Sequence, residues 1–186
     1  MPNWCYSWVN ITGDEKELNV LDKHFENAKK QVGTKNGFGE TWLGNIVEYL
    51  GMDATKVSCR GSIVHYEHHP EEICLSTETA WAPLLTPIVM LCEKYAPNAE
   101  ITYTSEEPGC GLFVSNDPDY VDKFVLDIWD DEINDYTREP LTKDEVKDWL
   151  EDILHKKDGY GNLMEEAMNK YEFCVNHYEY CDVHEL

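Results

Sequence analysis

The amino-acid sequence predicts an α+β fold, in which a core of antiparallel strands carries two helices on one face. Strand and helix patterns follow one another over residues 1–117 in the order β-α-β-β-α-β, which is the split βαβ arrangement. Both helix patterns are amphipathic, so each needs a sheet to cover. The chain has 186 residues, of which 42% are hydrophobic and 12% aromatic, and this composition excludes intrinsic disorder.

The first strand and the first helix are predicted by two different periods. Residues 4–12 alternate aromatic side chains with smaller ones, which is the period of a strand. Asp14 is the predicted N-cap of the helix, with Glu17 in the capping-box position, and Gly33 is expected to end it. An apolar stripe at spacings of three and four runs between them: Leu18, Leu21, Phe25, Ala28 and Val32.

The middle of the chain is interpreted as a loop followed by a hairpin. Residues 34–57 are assigned to a connecting loop, although residues 42–51 could hold a short helix between two glycines. Strands are predicted at 58–68 and 73–81, because both segments are rich in β-forming residues. The sequence His69-Pro70-Glu71 supplies the turn between them.

A second helix and another strand pair complete the first part. The helix is predicted over residues 82–95, with Pro83 tolerated in its first turn and Pro87 expected to strain that turn. Strands are predicted at 101–104 and 112–114, which adds one hairpin strand to the split βαβ order.

Residues 118–186 are predicted to form an acidic, mainly helical extension. An edge strand is expected at 123–130, and a helix begins where Thr142 and Glu145 form a capping box. A last helix is predicted from residue 162 to residue 178. Because no repeat or low-complexity linker separates the two parts, the extension is expected to pack on the first domain.

Three segments of the first part resemble a known family. They are Met1-Pro2-Asn3-Trp4-Cys5, Thr79-Ala80-Trp81-Ala82-Pro83 and Glu106-Glu107-Pro108-Gly109-Cys110-Gly111. Together they resemble the Api-type family of phage and plasmid proteins, over about residues 1–117. The resemblance implies a ferredoxin-like domain and an origin in a mobile genetic element. It implies no reaction, because no activity is established for that family as a whole.

Charge and cysteine content exclude several function classes. The 37 acidic and 15 basic residues give a net charge of −22, and only Arg60 and Arg138 are arginines. No direct DNA binding is expected, because binding of the phosphate backbone needs clustered Lys and Arg. Apolar runs are too short to span a membrane, and the N-terminus lacks the features of a signal peptide. Seven scattered cysteines are typical of a reduced, cytoplasmic protein, here in a bacterial host.

The negative charge is densest in the last third of the chain. Residues 120–186 hold 19 acidic and 7 basic residues, a net charge of −12, whereas residues 1–119 have a net charge of −10. Three interpretations stay open: a solvated surface, a divalent-cation site, or an anionic surface shaped for a basic partner. The third predicts these partner-binding residues: Asp127, Asp130, Asp131, Glu132, Asp135 and Tyr136.

Cys and His residues near the C-terminus recur at helical spacing. Cys174, His177, Cys181 and His184 would share one face of the predicted last helix. The four cannot close a zinc tetrahedron, since the ends of that face are about 15 Å apart. Cys181 and His184 are weak candidates for half of a site that a histidine from elsewhere would complete. No stoichiometric zinc and no other cofactor are expected.

A second polar cluster lies at a predicted strand end. Alternation places His65, Glu67 and His69 on one face, where they would form a base or a metal-binding trio. Neighbouring titratable residues at a turn are also common without any function. No Gly-rich phosphate loop or nucleophile elbow accompanies them.

Three functions are compatible with these observations. The first hypothesis is a mobile-element accessory protein that inhibits a basic nucleic-acid-binding protein of the host. The natural target is a defence nuclease such as a CRISPR effector or restriction enzyme, whose nucleic-acid groove the acidic surface would occupy. The second is a small metal-dependent nuclease or nucleotide-processing enzyme. The third is a phage structural or assembly protein.

Overall fold

The computed structural model describes residues 3–32, 38–129, 134–136 and 139–186. The chain divides into two compact units. The first unit comprises Met1–Asp117 together with Cys181–Leu186, and the second comprises Pro118–Tyr180. Residues 181–186 thus belong to the first unit although they follow the second in the chain.

The first unit is a mixed α+β structure, which confirms the predicted class. Its elements are β1 (Trp4–Thr12), α1 (Glu15–Val32), α2 (Gly44–Tyr49), β2 (Gly61–His69), β3 (Glu72–Ala80), α3 (Thr86–Tyr95), β4 (Glu100–Glu107) and β5 (Leu112–Ser115). The strands lie in the order β2-β3-β1-β4-β5, and each of these neighbouring pairs is antiparallel. Short 3-10 helices follow at Pro108–Cys110 and Val183–Glu185.

The core of the first unit lies between the sheet and its helices. Residues of β1 alternate strictly between exposed and buried, so one face of this central strand, with Val9 and Ile11, is covered. The apolar stripe of α1 packs there with α3, and the buried cluster includes Leu18, Leu21, Phe25, Ile88 and Leu91. The apolar face of the helix, which repeats every 3.6 residues, therefore packs on the apolar face of the strand, which repeats every 2 residues.

The start of α1 differs from the predicted capping box. The Asp14 carboxylate accepts a hydrogen bond from the backbone N–H of Lys16 at 2.9 Å, as an N-cap should. The Glu17 carboxylate accepts instead from the side-chain amide of Asn98 at 2.7 Å and from its backbone N–H at 3.3 Å. Glu17 therefore connects the helix to the turn before β4, because Asn98 offers one side-chain donor and one backbone donor within reach.

Two other sequence predictions for the first unit need correction. The second long helix, α3, begins at Thr86 rather than at residue 82. Pro87 thus lies at its very start, where a missing N–H leaves no helical hydrogen bond unmade, and the expected strain is wrong. The connecting loop contains the short helix α2, whose Ile46 and Val47 are buried in the core.

The second unit has its own sheet and its own core. Its elements are β6 (Phe124–Trp129), β7 (Asn134–Tyr136), α4 (Lys143–Leu154), α5 (Tyr160–Lys170), β8 (Glu172–His177) and β9 (Glu179–Tyr180). Three strands form an antiparallel sheet in the order β7-β6-β8. The buried apolar residues include Leu126, Ile128, Val146, Leu150, Leu163 and Ala167. None of the helices in the described ranges is both long enough and apolar enough to cross a lipid bilayer.

Two predictions for this unit are wrong and one is confirmed. The predicted edge strand, β6, is the central strand of its sheet. The last predicted helix ends at Lys170, and the chain from Glu172 to His177 is extended and pairs with β6. The capping box of α4 is present, since Thr142 and Glu145 exchange hydrogen bonds between side chain and backbone.

Truncation of the buried stripe should test this core. Leu18 has no exposed surface, so we expect Leu18→Ala to lower the free energy of unfolding by about 2–5 kcal/mol. Val20 on the same helix is 42% exposed, and Val20→Ala should change it by less than about 0.5 kcal/mol. Urea unfolding followed by circular dichroism measures both. Equal losses in the two variants would contradict the assignment of the buried face.

Candidate partner-binding face

The two faces of the sheet in the first unit differ in what covers them. The face carrying Val9 and Ile11 packs under the helices. On the other face of β1, Trp4 and Tyr6 are each 43% exposed and Trp8 is 52% exposed. We call this second face, on strands β1 to β4, the open face, although Thr104 of β4, opposite Trp8, is buried within it. Three large aromatic side chains in a row on a central strand form an apolar patch of the kind that marks interaction sites.

Strand register places carboxylates beside this aromatic row. Tyr6 is directly opposite Glu78 on β3 and Glu106 on β4. Trp8 is opposite Ser76 and Thr104. Directly paired residues on one face have Cβ atoms about 5 Å apart, so Tyr6 stands between two acidic side chains.

The open face has charge of one sign. Strands β1 to β5, as the structure bounds them, contain no Lys and no Arg. Five glutamates lie on the open face by register: Glu67, Glu72, Glu78, Glu100 and Glu106. Proteins that stack nucleic-acid bases on aromatic side chains hold the phosphates with basic grooves. An aromatic face framed by carboxylates suits a cationic ligand, which can use both ion pairs and cation–π contacts.

The predicted histidine trio lies at the edge of the same face. His65, Glu67 and His69 lie on β2, and each side chain is 55% exposed. The Glu67 carboxylate is 3.6 Å from Nε2 of His65 and 3.5 Å from Nε2 of His69. The structure thus brings the three side chains together. In the part of the chain that the structure describes, no group of three or more His, Cys, Asp or Glu residues is arranged to hold a metal ion.

The C-terminal Cys and His residues do not share a helical face. Cys174 and His177 lie on the extended strand β8 in the second unit, whereas Cys181 and His184 follow in the first. His177 contacts Asp122 at 3.6 Å, and His184 contacts Glu93 at 3.5 Å. The predicted common face is therefore wrong, because it required a helix through residue 178.

The structure describes only part of the predicted acidic site in the second unit. Asp127 is half-buried on β6, opposite Cys174 of β8. Asp130, Asp131 and Glu132 lie outside the described residues, as do the side chains of Asp135 and Tyr136.

Burial divides the thiols into two groups. Desolvation raises the pKa of Cys5 to about 11 and that of Cys92 to about 12, because a buried thiolate would lose its hydration. Cys110 and Cys174 are exposed. A hydrogen bond to Glu107 raises the pKa of Cys110.

No family model, no curated protein and no solved structure matches this chain. Function is therefore inferred from the geometry of the residues. Sequence reasoning did not find the open face, because the absence of Lys and Arg holds only for the strands as the structure bounds them, and the predicted strand 58–68 still included Arg60.

Alkylation should separate the two groups of thiols. With iodoacetamide at pH 8, Cys174 should be modified in the native protein. Cys5 and Cys92 should remain unmodified, because their raised pKa keeps them protonated at that pH and burial excludes the reagent. Peptide mass spectrometry before and after unfolding in guanidinium measures the difference. Equal modification of Cys92 and Cys174 in the native protein would contradict it.

Proposed function

We propose that this protein binds a basic, nucleic-acid-binding protein of a bacterial host, and that the open face receives a cationic segment of that partner. The observation that carries the proposal is the exposed row of Trp4, Tyr6 and Trp8, framed by glutamates on strands without Lys or Arg.

The chemistry of the open face supplies both affinity and selectivity. Trp and Tyr are the residues that most often dominate the binding energy of protein interfaces. Glu78, beside Tyr6, can pair with a Lys or Arg whose cationic group also lies over the ring. The net charge of −22 attracts a basic surface from a distance and repels nucleic acid.

We further propose a role in counter-defence, inside the host cytoplasm. A protein that binds nucleic acid presents a basic groove, and an acidic protein can occupy that groove in place of the nucleic acid. A CRISPR nuclease or a restriction enzyme is the class of target that such inhibition would serve. The second unit carries the predicted acidic residues from Asp127 to Asp135, which we propose as further partner-binding residues.

The segments that resemble the Api-type family support a mobile-element origin for the first unit. The strand order β2-β3-β1-β4, with α1 and α3 connecting the strands, supports a ferredoxin-like arrangement of that unit. Neither property specifies the target, so the open face carries the functional argument.

A nuclease is the second candidate, favoured by one observation. The imidazoles of His65 and His69 flank the Glu67 carboxylate, and a general base is built from such pairs. The three side chains are half-exposed on a strand edge, with no described cavity lined by them. Metal-dependent cleavage of RNA or DNA that is lost in His65→Ala would favour this alternative.

Truncation of two side chains in the aromatic row should weaken partner binding. The immobilised protein should capture basic nucleic-acid-binding proteins from a nuclease-treated bacterial lysate, and added double-stranded DNA should release them. Tyr6→Ala with Trp8→Ala should weaken binding of the identified partner at least tenfold. Isothermal titration calorimetry measures the affinity. Val20→Ala, which removes exposed apolar surface from α1 instead, is the matched control.

Three results would contradict this proposal. The captured proteins would include none that binds nucleic acid, or DNA would not compete, or the double variant would bind as tightly as the Val20→Ala control. Each of these results would show that the open face does not bind a basic nucleic-acid-binding groove.

Neutralised carboxylates should slow association. Glu67→Gln with Glu78→Gln removes two charges from the open face, and Glu15→Gln with Glu48→Gln removes two exposed charges from the helices. The first pair should lower the association rate several-fold and reduce its dependence on salt, because exposed charges are screened within about 8 Å at physiological ionic strength. Surface plasmon resonance at several salt concentrations measures both. The same loss in both pairs would show that only net charge matters.

A further inference from the structure

A large cavity opens in the first unit, on the helix side of the sheet. Its volume is about 650 Å³. Leu112 and Val114 of β5 line it, and they pair with Glu107 and Ser105 of β4. Ser105 contacts the buried Ser7 of β1, so the cavity lies on the face opposite Trp4, Tyr6 and Trp8.

The lining is mostly apolar. Its apolar lining includes Met52, Pro83, Leu84, Met90, Leu112 and Leu186. Interiors of proteins contain few voids larger than a water molecule, whereas pockets for small molecules measure roughly 300 to 1,000 Å³. Met52 and Met90 are flexible enough to fit ligands of different shape. Size and lining are therefore those of a ligand pocket.

Hydrogen bonds and a strained residue hold one wall in place. Trp81 has φ of 72°, a left-handed conformation that is a rare outlier for a bulky residue. Its N–H donates to the backbone oxygen of Asn3 at 3.0 Å. The Thr79 hydroxyl donates to the backbone oxygen of Ala82 at 2.6 Å. These bonds direct Ala82 and Pro83 away from the end of β3.

The other walls are also fixed. The Thr86 hydroxyl donates to the backbone oxygen of Leu186 at 2.8 Å. The backbone N–H of Met52 donates to the backbone oxygen of Val47 at 3.1 Å, which anchors the loop before β2 to helix α2. These two bonds fix the backbone at Leu186 and at Met52.

One cation lies at the rim of this cavity. Lys56 is the charged side chain among the described residues that line it. Its ammonium is 3.9 Å from a carboxylate oxygen of Asp53, and its side chain is 80% exposed. An exposed pair at this distance is weak, so the ammonium can turn to a ligand. This ammonium at the mouth of the cavity complements an anion.

We propose that the cavity binds a single-chain amphiphile with an anionic head group, of the class of long-chain carboxylates. The tail lies against Met52, Leu84, Met90 and Leu112, and the head group pairs with Lys56. This site is separate from the open face and does not depend on the partner proposed for it.

Three probes with the same tail test the chemistry of the head group. Dodecanoate and dodecyltrimethylammonium are titrated into the full chain below their micelle concentrations, and dodecan-1-ol below its solubility limit, with isothermal titration calorimetry as the readout. We expect dodecanoate to bind one-to-one and about fivefold more tightly than dodecan-1-ol, with dodecyltrimethylammonium weakest. The proposal is overturned if dodecanoate does not bind, or if the cationic probe binds as tightly.

Two substitutions locate the site. Lys56→Met should lower the affinity for dodecanoate about fivefold and leave dodecan-1-ol unchanged, whereas Lys16→Met on α1 should change neither. Met90→Trp should narrow the cavity and weaken binding of both, with circular dichroism as the check on folding. If that variant does not fold, Leu84→Trp is used in its place. Unchanged affinity for both probes in a folded variant would place the amphiphile elsewhere and overturn the assignment.

Discussion

The strict alternation of β1 between helix-covered and exposed side chains is the constraint on which the first unit depends. Because α1 and α3 bury Val9 and Ile11, the strand cannot slip by one residue without turning its apolar side chains outward. That register holds Trp4, Tyr6 and Trp8 on the uncovered face, and it aligns β3 and β4 beside them. The same side of the sheet that carries the core also carries the cavity at β5. One strand pattern thus separates two surfaces of different chemistry.

Much of the fold could be predicted where local pattern and tertiary context agree. The stripe of α1 and the capping box of α4 are of this kind, since a single period or a short-range exchange of hydrogen bonds decides them. For the segment Glu172–His177 the sequence wrongly predicts a helix, because its apolar residues also fit a helical period. Pairing with β6, a partner about 50 residues earlier in the chain, decides its strand conformation, and a non-local pairing leaves no short-range signal.

The candidate site was harder to predict, for a related reason. Alternation is local, so it correctly grouped His65, Glu67 and His69. It could not decide which face of β1 the helices would cover. Nor could it place Glu78 and Glu106 on either side of Tyr6, since cross-strand neighbours are set by register across the sheet. A run of acidic residues can be seen directly in the sequence. Carboxylates that lie on both sides of an aromatic ring come from different strands, so they are brought together only when the strands pair.

The carboxylates that frame the aromatic row also affect how copies of this protein behave toward one another. An exposed row of Trp and Tyr would by itself favour face-to-face self-association. In such a dimer, the five glutamates on the open face of one copy would lie against the five of the other copy. Like charges held together at an interface cost several kcal/mol. At neutral pH, charge repulsion therefore opposes association of two open faces. This repulsion weakens as acid protonates the glutamates or as salt screens them.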